Sequence, residues 1–207
     1  MRLRYERSIT SFITLKNRFW PGRKFLGYCE ATRILFEAIQ EVSGAEVIID
    51  SSKSPTRIAV LRRFSELSVI HLIRNFTGVL NSAKSSSKKD IKAGIEEDNP
   101  ARSTIKTWAS WFLTHLQCEI FCIGIKSNKL RYREYLNDPE KLEKLDPAFA
   151  GILDRAPFTS EHMLAGNKIR LKKSLKVDKD LGFKYTRLNH KNLLIAKITE
   201  RLFWFWN

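Results

Sequence analysis

Two short apolar runs, each ending in polar residues and each followed by a helix signal, constrain this chain more than any other feature. Residues 46–50 read EVIID and residues 67–73 read LSVIHLI. Runs of this length without polar alternation are how strands buried on both faces look, and such strands belong to parallel sheets. Behind the first run, Pro55 stands at a good first helical position after Ser54 as cap, and predicts a helix to about Glu66. Behind the second, Thr77 to Lys84 reads as another helix. Lys129 to Arg133 gives a third short strand, with Asp138-Pro139 starting a small helix after it. Strands alternating with helices predict an α/β fold around a parallel sheet. Ligands of such sheets sit beyond the carboxyl ends of the strands.

The remaining segments are helical or polar. Ile34, Leu35, Ala38, Ile39 and Val42 share one face of a helix over 31–42, which Gly44 ends. Asn99-Pro100 opens the longest helix, to about Lys126, with Trp108, Trp111, Phe112, Leu116 and Ile120 on its broad apolar side. Residues 1–28 are basic and aromatic, with Pro21-Gly22 as a break, and read as one helix followed by a loop. They set off residues 1–30 as an N-terminal segment from a domain over 31–207. Residues 84–98 read as a loop, and basic residues crowd the chain beyond Pro157. Phe203-Trp204-Phe205-Trp206 predicts a docked terminal helix, with anchoring at a membrane interface as the alternative.

Charge narrows the partners. Lys and Arg total 37 against 22 Asp and Glu, a net charge of +15, which predicts an anionic partner or substrate. Three cysteines without framework spacing argue against a disulfide-stapled secreted domain. Cys118 and Cys122, four apart in an apolar helical stretch, read as core, and no second pair completes a metal site. No signal peptide and no membrane-spanning run is visible, so a cytoplasmic protein is expected. No helix-turn-helix, zinc or RNA-recognition signature accompanies the charge, which leaves specific nucleic-acid binding as a minor reading.

Three places carry candidate chemistry. Arg74 follows the second strand, and Ser82 stands eight residues later, about two turns into the next helix. The guanidinium can fork onto a phosphate and the hydroxyl can donate to the same anion, each charge-assisted bond contributing about 1.5–3 kcal/mol. A surface Arg and a helix Ser without joint purpose is the plainer account. Asp50, Ser51, Ser52 and Lys53 stand on the loop after the first strand, beside a helix N-terminus. Lys53 there can neutralise a transferring group. A capped turn with an Asp–Lys surface pair explains the same residues. Finally, HMLAGNKIR at 162–170 offers Lys168 and Arg170 after a Gly166-Asn167 turn.

In this order the pieces resemble the sulfotransferase superfamily that uses 3′-phosphoadenosine-5′-phosphosulfate, especially its bacterial and carbohydrate-type branches. The resemblance runs from about Ala31 to Leu181. It rests on IIDSSKSPTR at 48–57, the Arg74…Ser82 pair, and RYREYLNDPEKL at 131–142. It implies a P-loop NTPase-like three-layer fold and transfer of a sulfuryl group to a hydroxyl acceptor such as a carbohydrate, without a metal. Arg74 and Ser82 would bind the 3′-phosphate of the donor, with Lys168 and Arg170 reaching the same phosphate. Asp50 and Lys53 would face the sulfuryl group or the acceptor.

The chain departs from that pattern at its start. The family opens with a strand and a G-x-x-R-S-G-T-x-L-like loop that wraps the 5′-phosphosulfate, and no Gly/Ser/Thr cluster precedes Asp50. Asn75-Phe76 follows the Arg where many relatives have Asp-Pro or Asn-Pro, and Phe183 stands where a Trp is usual. These departures predict an N-terminally truncated domain, inactive alone, or a non-catalytic relative that still binds the nucleotide or another anion.

Overall fold

The computed structural model describes residues 11–85, 100–150 and 188–206. It is a mixed α/β structure, mostly helical, with one parallel sheet of two strands, β1 (Ser68–Ile73) beside β2 (Lys126–Arg131). The helices are α1 (Ser11–Phe19), α2 (Arg23–Ser43), α3 (Arg57–Leu61), α4 (Phe76–Ala83), α5 (Thr104–Cys122), α6 (Tyr132–Asn137), α7 (Lys141–Leu145) and α8 (His190–Leu202). Single 3₁₀ turns follow α7 and α8, at Pro147–Phe149 and Trp204–Trp206. By contacts the chain divides into two compact units, Met1–His71 with Phe112–Asn128, and Leu72–Trp111 with Lys129–Asn207. Among the described residues no helix is long and apolar enough to cross a membrane.

The first unit is built around the short helix α3. Ile58 and Ala59 pack with Cys118, Phe121 and Cys122 of α5, and Leu15, Leu67, Val69 and Ile125 close that cluster. On its other side Val60 meets Phe25 and Cys29 of α2. Two arginines cap helix ends by donating to orphan carbonyls, which also sets positive charge against the negative end of the dipole. Arg18 donates to the carbonyls of Ile120 and Ile123 at the end of α5, at 2.6 and 2.7 Å. Arg63 donates to those of Asn17 and Arg18 at the end of α1, at 2.9 and 2.6 Å. Cys118 and Cys122 lie in the core with sulfurs 4.0 Å apart. Gly44 ends α2 in the left-handed conformation, φ 63°, and donates its N–H to Gln40.

Several expectations are corrected here. The strand foreseen over Glu46–Asp50 does not form: these residues carry no ladder, and Val47 and Ile49 stay about half exposed. A strand needs a partner's amides and carbonyls, and none of the described residues offers them to this segment. The helix behind Pro55 spans Arg57–Leu61 instead of reaching Glu66. It tightens into i→i+3 bonds from Arg63 to Val60 and from Phe64 to Leu61. In α2 the buried residues are Phe25, Cys29 and Thr32, while Ile34, Leu35, Ile39 and Val42 are exposed. The fully buried contacts of that helix come from its N-terminal half, and the more apolar stripe beyond it stays exposed. The expected break at Pro21-Gly22 is present, its Gly22 N–H donating to Asn17 Oδ1 at 2.9 Å, but α2 rather than a loop follows it from Arg23.

The second unit joins α4 to α8. Asn75, the N-cap of α4, makes no side-chain cap bond. The cap comes from Glu200 of α8, whose carboxylate accepts the Thr77 N–H at 2.8 Å and the Thr77 hydroxyl at 2.6 Å. A negative group over a first turn both satisfies an orphan donor and complements the dipole. Thr104, at the start of α5, donates to the Asn192 side chain of α8 at 2.7 Å. Trp206 is buried in an aromatic cluster, its ring 5.8 Å from Trp111 edge-on and 5.7 Å from Phe203 in a stack, with Phe76 5.5 Å from Trp111. The terminal aromatic run is thus docked through Trp206, while Trp204 points away.

Candidate anion-binding site

Arg74 is placed by the strand that precedes it. Ile73 ends β1 with its side chain buried, and the Trp111 indole N–H donates to the Arg74 carbonyl at 3.0 Å, fixing the backbone at the turn into α4. Parallel strands bring their carboxyl ends to one edge. The residue after β2 is Tyr132, and the Arg74 guanidinium lies 5.7 Å from its ring centroid, within cation–π range.

The side chain of Arg74 folds back over the first turn of α4. Gly78 makes this possible, because a Cβ there would stand 3.1 Å from Arg74 Nε and 2.7 Å from Asn75 Oδ1. Ser82 lies four residues beyond Gly78, hence on the same helical face. Arg74 and Ser82 line one open cleft of about 280 Å³, together with Val79, Ala83 and Arg102.

Arg102 was not among the residues singled out from sequence. It stands directly before Ser103, whose hydroxyl accepts the Lys106 N–H at 3.3 Å at the start of α5. Its backbone is held against the far end of α4: the Arg102 N–H donates to Ala83 at 2.8 Å, and its carbonyl accepts Lys84 Nζ at 3.2 Å. The only signal for it in sequence is a basic residue just before a helix cap. These bonds have an electrostatic effect. The last carbonyls of a helix repel anions, but here Leu80 accepts Lys84 N–H, Ser82 accepts the N–H and hydroxyl of Ser85, and Ala83 accepts Arg102. The cleft is therefore lined by two arginines and a serine, with neighbouring carbonyls already engaged.

Asp50 belongs to the first unit and has a different setting. Its carboxylate accepts Arg57 Nε at 2.9 Å and the Ser52 N–H at 2.9 Å. Burial pushes its pKa up, but the Arg57 hydrogen bond and the Ser52 N–H outweigh burial and hold the group below the usual aspartate range. Arg57 also lies over the Phe36 ring at 5.6 Å. Asp50, Ser52 and Arg57 line a second cleft of about 360 Å³ with Tyr28, Ala31, Thr32 and Leu35. The alternative of an Asp–Lys surface pair is corrected: Asp50 pairs with Arg57, and Lys53 is exposed on the loop. Lys168 and Arg170, with the Gly166-Asn167 turn, lie outside the described residues. Among the described residues no group of three His, Cys, Asp or Glu is arranged to hold a metal ion.

No family model, curated protein or solved structure matches this chain, so its chemistry is argued from its own residues.

Proposed function

We propose that the cleft of Arg74, Ser82 and Arg102 binds a phosphate of a nucleotide, and that the chain is a sulfotransferase-type protein whose donor is 3′-phosphoadenosine-5′-phosphosulfate. The acceptor in this reading is a hydroxyl, such as that of a carbohydrate, and the sheet belongs to a P-loop NTPase-like three-layer arrangement. One observation carries the proposal: an arginine and a serine eight residues apart line the same cleft where β1 ends. Two cations in that cleft suit a dianion better than a neutral ligand.

Sulfuryl transfer needs in-line positioning and neutralisation of charge more than covalent help. In this reading Arg74, Ser82 and Arg102 hold the 3′-phosphate, and Lys168 and Arg170 add donors from their loop. Asp50 and Lys53 are the residues proposed for the sulfuryl or acceptor side. No Gly/Ser/Thr-rich loop precedes Asp50 to wrap the 5′-phosphosulfate. Loss of one aimed donor lowers a rate by about 10²–10³, so residues 1–207 alone are expected to transfer sulfuryl groups negligibly while still binding nucleotide. A non-catalytic anion binder is the second reading, and the engagement of Asp50 by Arg57 favours it.

Calorimetric titration with adenosine 3′,5′-bisphosphate tests the proposal. Binding that Arg74→Ala abolishes supports it. Absence of binding, or equal binding by the variant, refutes it.

A further inference from the structure

Helix α8 is apolar on two opposite sides. Its inner side carries the buried Ala196 and Thr199, with Glu200 turned in to cap α4. Leu194, Ile198 and Leu202 recur every four residues on another side, which puts them in one row. They are 52%, 51% and 66% exposed, with Ile195 beside them. Directly after the helix come Trp204, 71% exposed, and the half-exposed Phe205. An apolar row on a helix ordinarily faces another apolar surface, and this row is exposed.

The charges around the row have one sign. Lys191, Lys197 and Arg201 are exposed on the same helix. Glu200 is the only acid within 188–206, and it faces Thr77. The outward surface therefore combines an aliphatic row, an indole, a phenyl ring and cations alone. We propose that this face docks on the surface of an anionic phospholipid bilayer, lying in the interface without crossing it. Leucines and isoleucines reach the acyl boundary, Trp204 and Phe205 sit at the headgroup level, and the basic groups meet lipid phosphates. A second copy of the chain fits less well, because a two-fold contact through this face would bring Lys197 and Arg201 against their own equivalents.

Co-sedimentation of the chain with vesicles of phosphatidylcholine, alone or mixed with phosphatidylglycerol, tests the proposal. The expected result is partition into the anionic vesicles only. It falls at least about tenfold in Leu202→Ser/Trp204→Ser, and as much in Lys197→Glu/Arg201→Glu, with unchanged circular dichroism. In the unmutated chain, lipids brominated on their acyl chains quench tryptophan fluorescence, and Trp204→Phe removes most of that quenching. Loss of partition in only one of the two double variants overturns the proposal, since it would leave either bare charge or bare apolar contact. No partition, equal partition into phosphatidylcholine, or a solution dimer that Ile198→Ser disperses overturns it as well.

Discussion

Gly78→Ala separates the anion site from the stability of the helix that carries it. In a helix interior this exchange ordinarily stabilises by about 0.5–1 kcal/mol, because glycine loses more backbone entropy on folding. Here the new methyl would stand 2.7 Å from Asn75 Oδ1, 3.1 Å from Arg74 Nε and 3.7 Å from Arg74 Cζ. The Asn75 amide is the free end of a short side chain and swings aside cheaply. Arg74 meets the methyl at Nε, inside the guanidinium, so that group has to shift relative to the cleft it lines. A charge-assisted bond to phosphate contributes about 1.5–3 kcal/mol, which corresponds to about 10- to 150-fold in affinity. The variant is therefore expected to unfold at the same or a slightly higher urea concentration, yet to bind adenosine 3′,5′-bisphosphate more weakly, by up to about tenfold. Urea melts and calorimetry on the same preparation read both quantities. An unchanged affinity would refute the placement of Arg74 over Gly78. A large loss of stability would refute the claim that the neighbouring Asn75 yields.

Further outcomes follow from the same geometry. Arg102→Ala is expected to lower bisphosphate affinity about tenfold, with Arg102→Lys keeping part of it; equal titration curves for all three proteins would remove Arg102 from the site. Glu200→Ala uncaps α4 and should cost about 0.5–2 kcal/mol, which for a chain of this size is a drop of a few degrees, about 2–4 °C per kcal/mol, in Tm; an unchanged melt would count against the cap. Asp50 has a folded pKa below its unfolded value, so the unfolded chain binds more protons between the two. Its contribution is complete above the unfolded value of about 3.9 and disappears as pH falls through the lower folded value. The difference in stability between the unmutated chain and Asp50→Asn should therefore be constant near neutrality and shrink below about pH 4; a difference that grows on acidification would reverse the sign.

What could be read ahead of the coordinates was local. β1 and α4 fall within a residue of expectation, because an apolar run and a helical face are each written in consecutive positions. The eight-residue spacing of Arg74 and Ser82 likewise needs only one strand end and two helical turns. The Glu46–Asp50 segment has the composition of a strand, but a strand exists only with a neighbour, and composition does not supply one. The apolar stripe of α2 misled for a related reason: periodicity shows which face could be buried, and packing decides whether it is. Arg102 left only a weak local trace and Glu200 none, since each acts on α4 through the fold, across 18 or more residues of sequence.

The Glu200 cap also bears on the order of events as the chain folds. α4 has eight residues, fewer than a helix needs to persist by itself in water. Its first turn is closed by a carboxylate 123 residues away, and contacts of such separation form late because the intervening chain must first surrender its freedom. The cleft lined by Arg74, Ser82 and Arg102 is accordingly expected among the later parts of the molecule to assemble. A nascent chain that has not yet delivered α8 has an uncapped α4, and with it an unfinished cleft.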